Sequence, residues 1–259
     1  MMVNSSFTYE APEADKNIRV NNFYSVCVDN FFKNPNKIRE WGLSLPKKPD
    51  ADGRWPGVRT SSLHEIDYPF ANQLALKVLS SYFDFRYNSI SWEKNNSYFQ
   101  EISPYEDNKN AIKNQGWIHQ DNDSEFAFLI YLTPNADVNS GTSLFNLKEE
   151  ERTKYALNLR QYAKESFFKG EKINEEEYNK LYLEHHNKFI EKTRFSNIYN
   201  RMIAYDGVEF HKANNFVTNA ETRLTIVGFM SGIVVDEMPL KRVKNENNHD
   251  IILEKRING

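Results

Sequence analysis

Apolar and polar positions change period several times along the chain. From Val20 to Phe32, Val, Phe and Tyr alternate with polar residues, which predicts a strand. Asn34-Pro35 then reads as a helix start, with Asn as cap and Pro in the first turn; Ile38, Trp41 and Leu45 line one face before Pro46 ends it. Lys47 to Trp55 reads as a loop closed by Trp55-Pro56-Gly57. A second helix is predicted near Pro69, with Phe70, Leu74, Val78 and Tyr82 at a four-residue spacing. After Ser97 the period shortens. Tyr98–Ile102, Trp117–His119, Glu125–Leu132 and Thr142–Asn146 are predicted strands, and the run Phe126–Leu132 is apolar throughout, as for a strand covered on both faces.

Two charged helices interrupt this pattern. The first is predicted over Glu149–Phe168, with Tyr155, Leu159 and Tyr162 on one face and Gly170 as terminator. The second starts at Asn174, with Glu177 in capping-box spacing and Tyr178, Leu181, His185 and Phe189 as its apolar face. Strands resume at Met202–Tyr205, Val208–His211 and Arg223–Ser231, and Ile251-Ile252-Leu253 offers a further short one. The chain is expected to be mainly β with flanking helices, a sandwich or jelly roll in one domain over 1–259. Residues 20–96 would form a supporting layer of strand and helices, and 97–147 with 199–231 the jelly-roll core. Residues 148–198 would be a helical insert, a lid or dimerisation hairpin through which a homo-oligomer could form.

Composition narrows the function. Of 259 residues, 39% are hydrophobic and 14% aromatic, enough for a sizeable core. The net charge of -3 argues against DNA binding, whose affinity comes mostly from a basic surface. No apolar run reaches the roughly 18 residues of a membrane span, and no secretory signal is visible at the N-terminus, so a cytoplasmic location is expected. The single cysteine, Cys27, lies between Val26 and Val28 and reads as a small buried residue. It rules out an intramolecular disulfide and a cysteine-rich metal site, so any metal must be held by His and carboxylates.

One stretch carries chemistry: Gln115-Gly116-Trp117-Ile118-His119-Gln120-Asp121. On an extended segment His119 and Asp121, two apart, point the same way, so an imidazole nitrogen and a carboxylate oxygen can bind one metal. The third candidate is His211, in Val208-Glu209-Phe210-His211. Two His and one carboxylate on one face of an octahedron leave three positions open, the ligand set of non-haem Fe(II) oxygenases. Downstream, Arg223 and Thr225 share one strand face, and a guanidinium fork beside a hydroxyl suits a carboxylate.

In this order the motifs resemble the 2-oxoglutarate/Fe(II)-dependent oxygenases, closest to their prolyl-4-hydroxylase-like branch. The match runs through His119-x-Asp121, Leu129-Ile130-Tyr131-Leu132-Thr133 and Ser140-Gly141-Thr142-Ser143-Leu144-Phe145. It continues through Arg201-Met202-Ile203-Ala204-Tyr205-Asp206, His211 and Arg223, covering roughly residues 97–231. Trp55-Pro56-Gly57-Val58-Arg59-Thr60 is similar, more loosely, to bacterial and phage members of the group. The resemblance implies a double-stranded β-helix, a cupin-like jelly roll, with Fe(II) held by His119, Asp121 and His211. It implies 2-oxoglutarate as cosubstrate, its distal carboxylate on Arg223 with Tyr131 and Thr225 assisting. O2 would be the oxidant and succinate a product. The implied activity is hydroxylation of an unidentified substrate, a protein or peptide side chain or a small metabolite. The carboxylate at Asp121 departs from related halogenases, which lack one there.

A different class of function fits the same residues: a non-catalytic jelly-roll module that binds a metal or dicarboxylate without turnover. Other features are read as structural. His185 and His186 are adjacent on a helix and point about 100° apart, so they do not converge on a second metal. Tyr98 and Gln100 lie on a strand entering the site, and the period does not choose which of them faces it. Trp117 is read equally as a pocket wall or as core.

Overall fold

The structure, a computed structural model, describes residues 18–19, 23–85, 89–121, 123–152, 158–218 and 222–236. In chain order the first half holds β1 (Ile18–Arg19), β2 (Val26–Val28), α1 (Pro35–Ser44), β3 (Lys48–Pro49), β4 (Val58–Arg59), α2 (Leu63–Ile66), α3 (Tyr68–Leu79), β5 (Ile90–Ser91) and β6 (Lys94–Ile102). The second half holds β7 (Phe126–Tyr131), β8 (Thr142–Leu147), α4 (Asn158–Phe168), α5 (Glu175–His186), β9 (Phe189–Phe195), β10 (Met202–Asp206), β11 (Phe210–Ala213), β12 (Arg223–Ser231) and β13 (Val234–Val235).

The large sheet is ordered β2-β10-β7-β12-β6-β4-β3 and the small one β11-β8-β9, all antiparallel. A bridge between His119 and His211 adds the 117–119 segment to the free side of β11. From β6 the chain passes to that segment in the small sheet, back to β7, over to β8 and β9, then to β10, β11 and β12 in alternation. This winding between two facing sheets is the double-stranded β-helix, the jelly roll expected above. A third sheet, β1-β13-β5, lies apart from these two.

All six residues of β7 are buried because both of its faces are covered. Phe126, Phe128 and Ile130 join Leu74, Val78, Phe99 and Leu224 in the core under α1 and α3. Ala127, Leu129 and Tyr131 meet Leu144, Phe195 and Tyr205 between the sheets. In β12, Gly228 gives the Phe128 ring its room, since a Cβ there would stand 2.1 Å from Cε1. The helix starts follow their caps. Asp67 accepts from the Phe70 amide (2.9 Å) ahead of α3, and Asn174 from the Glu177 amide (3.2 Å) ahead of α5. Gly170, just past α4, sits at φ +77, a conformation that favours glycine.

Several expectations need correction. The 148–198 stretch is not wholly helical: β9 pairs with β8 along its length and belongs to the small sheet. The 20–96 layer supplies sheet as well as support, because β2 borders one side of the large sheet and β3–β4 the other. The strand expected at Val20–Phe32 is confined to Val26–Val28, Trp117–His119 makes only the His119 bridge, and Val208–His211 shifts to Phe210–Ala213. Of the predicted first insert helix, Glu149–Glu151 is a 3-10 turn and Asn158–Phe168 is α-helix. Cys27 is exposed, since on edge strand β2 the alternation turns Val26 and Val28 to the core and Cys27 outward. Val20, Tyr155 and Ile251–Leu253 lie outside the described residues. Among the described residues no helix is long and apolar enough to cross a membrane.

Candidate metal centre and anion pocket

The sheet ladder brings the candidate ligands together. The His119 amide donates to the His211 carbonyl (3.0 Å) and the His211 amide to that of His119 (2.9 Å). The Asp121 amide donates to Gly207 O (3.0 Å), which fixes the next turn of chain. One ligand atom from each of His119, Asp121 and His211 lies within 4.8 Å of the others. Asp121 Oδ2 is 3.2 Å from His211 Nε2, and Oδ1 is 3.8 Å from His119 Nε2.

The backbone also fixes the imidazole tautomers. His119 Nδ1 lies 2.7 Å from Trp117 O and His211 Nδ1 2.9 Å from Glu209 O. A carbonyl can only accept, so each Nδ1 carries the proton and each Nε2 is left to face its neighbours. Burial pushes the His119 pKa well below its ordinary value, and His211 beside it adds to that. Burial works the same way on His211, yet the Asp121 carboxylate outweighs it and raises that pKa. Burial opposes ionisation of Asp121, but the two imidazoles and Arg59 hold its pKa at about 2. A carboxylate and two Nε2 atoms converging in this way form a donor set suited to one divalent cation.

The triad opens on a cavity of about 710 Å³ that Arg223 also lines. Arg223 is almost fully buried at 2% exposure, and no carboxylate pairs with it among the described residues. Its Nε donates to Ser140 O (3.3 Å), its guanidinium lies 5.6 Å from the centre of the Tyr131 ring, and its Nη2 donates to nothing. Thr225 Oγ1, on the same face of β12, is likewise buried without a partner. A buried guanidinium left unsatisfied is costly without a ligand and fits a carboxylate; Thr225, unlike Arg223, does not line the cavity. Tyr131 stands further back: its hydroxyl donates to Thr142 Oγ1 (2.9 Å), and Thr142, not Tyr131, borders the cavity.

Tyr98 and Gln100 both line the cavity, as two residues on one strand face should. Trp117 borders it while its indole packs against the insert, Nε1 donating to Tyr178 Oη (2.9 Å). His185 and His186 hold the segment carrying His119 from behind. His185 Nε2 is 2.8 Å from Ile118 O, and His186 Nε2 is 3.3 Å from both Ile118 N and Gly116 O. Two further wall residues had no role in the sequence reading. Tyr205 is buried with its ring 4.9 Å from that of His211; its place in β10 was legible, its facing was not. Arg59, in β4, enters the cavity from beside β6; it lies in the Trp55–Thr60 stretch, whose looser similarity assigned it no role.

Fold and site define a jelly-roll protein with two histidines and one aspartate that could hold a metal ion, beside a buried arginine with no ion-pair partner among the described residues. The chain belongs to DUF6445, a family of unknown function, whose model matches residues 16–230. No curated protein matches it. Among solved structures it is similar to HygX from Streptomyces hygroscopicus with nickel and 2-oxoglutarate bound, at 13% identity over 80% of this chain and 83% of that one, TM-score 0.48. It is similar to a 2OG-Fe(II) oxygenase family oxidoreductase from Burkholderia pseudomallei at 11% identity, over 80% and 84%, TM-score 0.42. A Trichoplax adhaerens prolyl hydroxylase in complex with a hypoxia-inducible-factor peptide is similar at 12%, over 82% and 84%, TM-score 0.43.

Proposed function

We propose that this chain is an Fe(II)- and 2-oxoglutarate-dependent dioxygenase that hydroxylates a C–H bond of its substrate. The observation that carries the reading is one cavity holding a His119–Asp121–His211 donor set and, apart from it, the buried and unpaired Arg223. Iron and 2-oxoglutarate bound there would supply the activation of O2 that oxidises the C–H bond, with decarboxylation of 2-oxoglutarate to succinate.

The protein's own residues do the rest. His119 and His211 turn their Nε2 atoms toward the metal position because backbone carbonyls hold the Nδ1 proton of each ring, and a metal would displace the proton that Asp121 favours on His211 Nε2. Asp121 contributes a permanent negative charge at neutral pH. Arg223 binds the distal carboxylate of the cosubstrate as a fork, with Thr225 as the hydroxyl donor beside it. Tyr131 orients Thr142 at the cavity wall. Tyr205 and Leu129 line the same space.

The test is an anaerobic titration of metal-free protein with Fe(II) and then 2-oxoglutarate, following the visible iron-to-keto-acid absorption band. The expected result is a band that His211→Ala abolishes and that needs about tenfold or more additional 2-oxoglutarate in Arg223→Ala. Folded protein that binds iron but develops no band would refute the assignment and favour a metal- or dicarboxylate-binding module.

A further inference from the structure

Besides Arg223, two arginines line the cavity: Arg54, which is paired with Asp50, and Arg59, which the metal and cosubstrate leave unused. Arg59 reaches in from β4, where it pairs with Gln100 of β6. Its guanidinium is caged by three rings: the centre of Trp55 is 4.4 Å from Cζ, that of Phe229 5.5 Å and that of Tyr98 5.7 Å. Nη2 donates to Gln100 Oε1 at 3.1 Å, and Gln100 is held in turn by its Nε2 donating to Pro56 O at 2.8 Å. Nε is buried and donates to nothing. Among the described residues no carboxylate forms an ion pair with Arg59, and nearby Asp50 is engaged by Arg54. Burial draws its pKa down to about 10, opposed by Asp121, so the group stays charged at neutral pH.

A half-buried guanidinium held between rings, with its Nε unpartnered, is a receptor for a planar or tetrahedral oxyanion. Arg223 already answers for the carboxylate of 2-oxoglutarate, so a second fork in the same cavity calls for a second anion. We propose that Arg59 is the anion-binding residue of the substrate subsite, and that the substrate is a small molecule bearing a carboxylate or phosphate group. That the ligand is a substrate rests on the oxygenase reading; the anion site itself does not.

The experiment uses the full chain loaded with Zn(II) and saturating 2-oxoglutarate, and in parallel the metal-free chain. Inorganic phosphate and propionate are titrated separately while the arginine Nε–H resonances are followed by 15N NMR, with Arg59→Lys assigning the signal. The expected result is a saturable shift of the Arg59 Nε–H, with the tighter probe telling phosphate from carboxylate. Arg59→Met should weaken that probe by about tenfold or more while 2-oxoglutarate affinity stays within about twofold. Arg223→Met should do the reverse. A fall in 2-oxoglutarate affinity in Arg59→Met equal to that in Arg223→Met would assign Arg59 to the cosubstrate and overturn the proposal. So would an Arg59 signal that neither probe moves in the wild-type protein, a result that needs no variant to fold. Failure of the wild type to bind 2-oxoglutarate would instead sink the oxygenase reading, while the metal-free titration would still report on the anion site.

Discussion

Metal binding at this site should release one proton in weakly acidic solution, because the three ligands are driven to different protonation states. His119 is held neutral by burial and by His211. Asp121 stays ionised down to about pH 2. His211 alone has a raised pKa, and its Nε2, 3.2 Å from Asp121 Oδ2, keeps a proton where a free imidazole would have lost it. A metal must displace that proton and no other. Below the pKa of His211 the affinity should therefore fall about tenfold per pH unit, or about 1.4 kcal/mol. Two protonated imidazoles would make it about a hundredfold per unit. Calorimetric titration with Zn(II), in two buffers of different ionisation enthalpy, reads the proton count directly. Release of two protons, or of none between pH 5 and pH 6 (about one unit below the ordinary histidine value), would refute the reasoning. Asp121→Asn removes the partner that holds the proton on His211, so the fall in affinity should begin at lower pH. Stability follows the same linkage. The raised His211 pKa contributes to the metal-free fold fully below about pH 6.5, and this is lost as pH rises through the raised value. The contribution of Asp121 is present above about pH 4 and is lost as pH falls toward its depressed value. The thermal stabilisation conferred by Zn(II) should accordingly grow as pH rises through the His211 titration.

Gly228→Ala should destabilise the fold by about 1–3 kcal/mol in urea unfolding, since its Cβ would meet Phe128 Cε1 and Cζ at 2.1 Å in a filled core. His185→Leu removes the contact to Ile118 O (2.8 Å) and should weaken Zn(II) binding by about tenfold, read by chelator competition. Tyr178→Phe strips the buried acceptor from Trp117 Nε1 and should cost about 1–3 kcal/mol in stability while leaving Zn(II) affinity within about twofold. Equal losses of metal affinity in these last two variants would mean that His185 acts only through packing.

The convergence of the candidate ligands was legible because the chemistry is local at one end: His119 and Asp121 are two residues apart, and a period-two segment must aim them together. Strand β7 was legible because an unbroken apolar run of that length is costly anywhere but between two covered faces. Strand β9 was not. Phe189 continues the three- and four-residue spacing of Tyr178, Leu181 and His185, and the charges of Glu191, Lys192 and Arg194 look like the outer face of a helix. Only pairing with β8 decides that stretch, and pairing is a long-range term. Arg59 escaped for a related reason. Its three aromatic neighbours come from β6, β12 and the loop before β4, and no window of sequence contains them. Cys27 went wrong because alternation gives a period without saying which phase faces the core.

The reciprocal backbone pair between positions 119 and 211 separates two properties that proteins often entangle. Where the metal would sit is written in main-chain hydrogen bonds, which any residue but proline can make. What the site prefers to hold is written in the side chains alone. The pocket is in this sense a socket with exchangeable contacts, in which the ligand set could change from imidazole toward carboxylate without re-solving the fold. A lineage built on this ladder can alter its metal one substitution at a time, each intermediate keeping the same architecture.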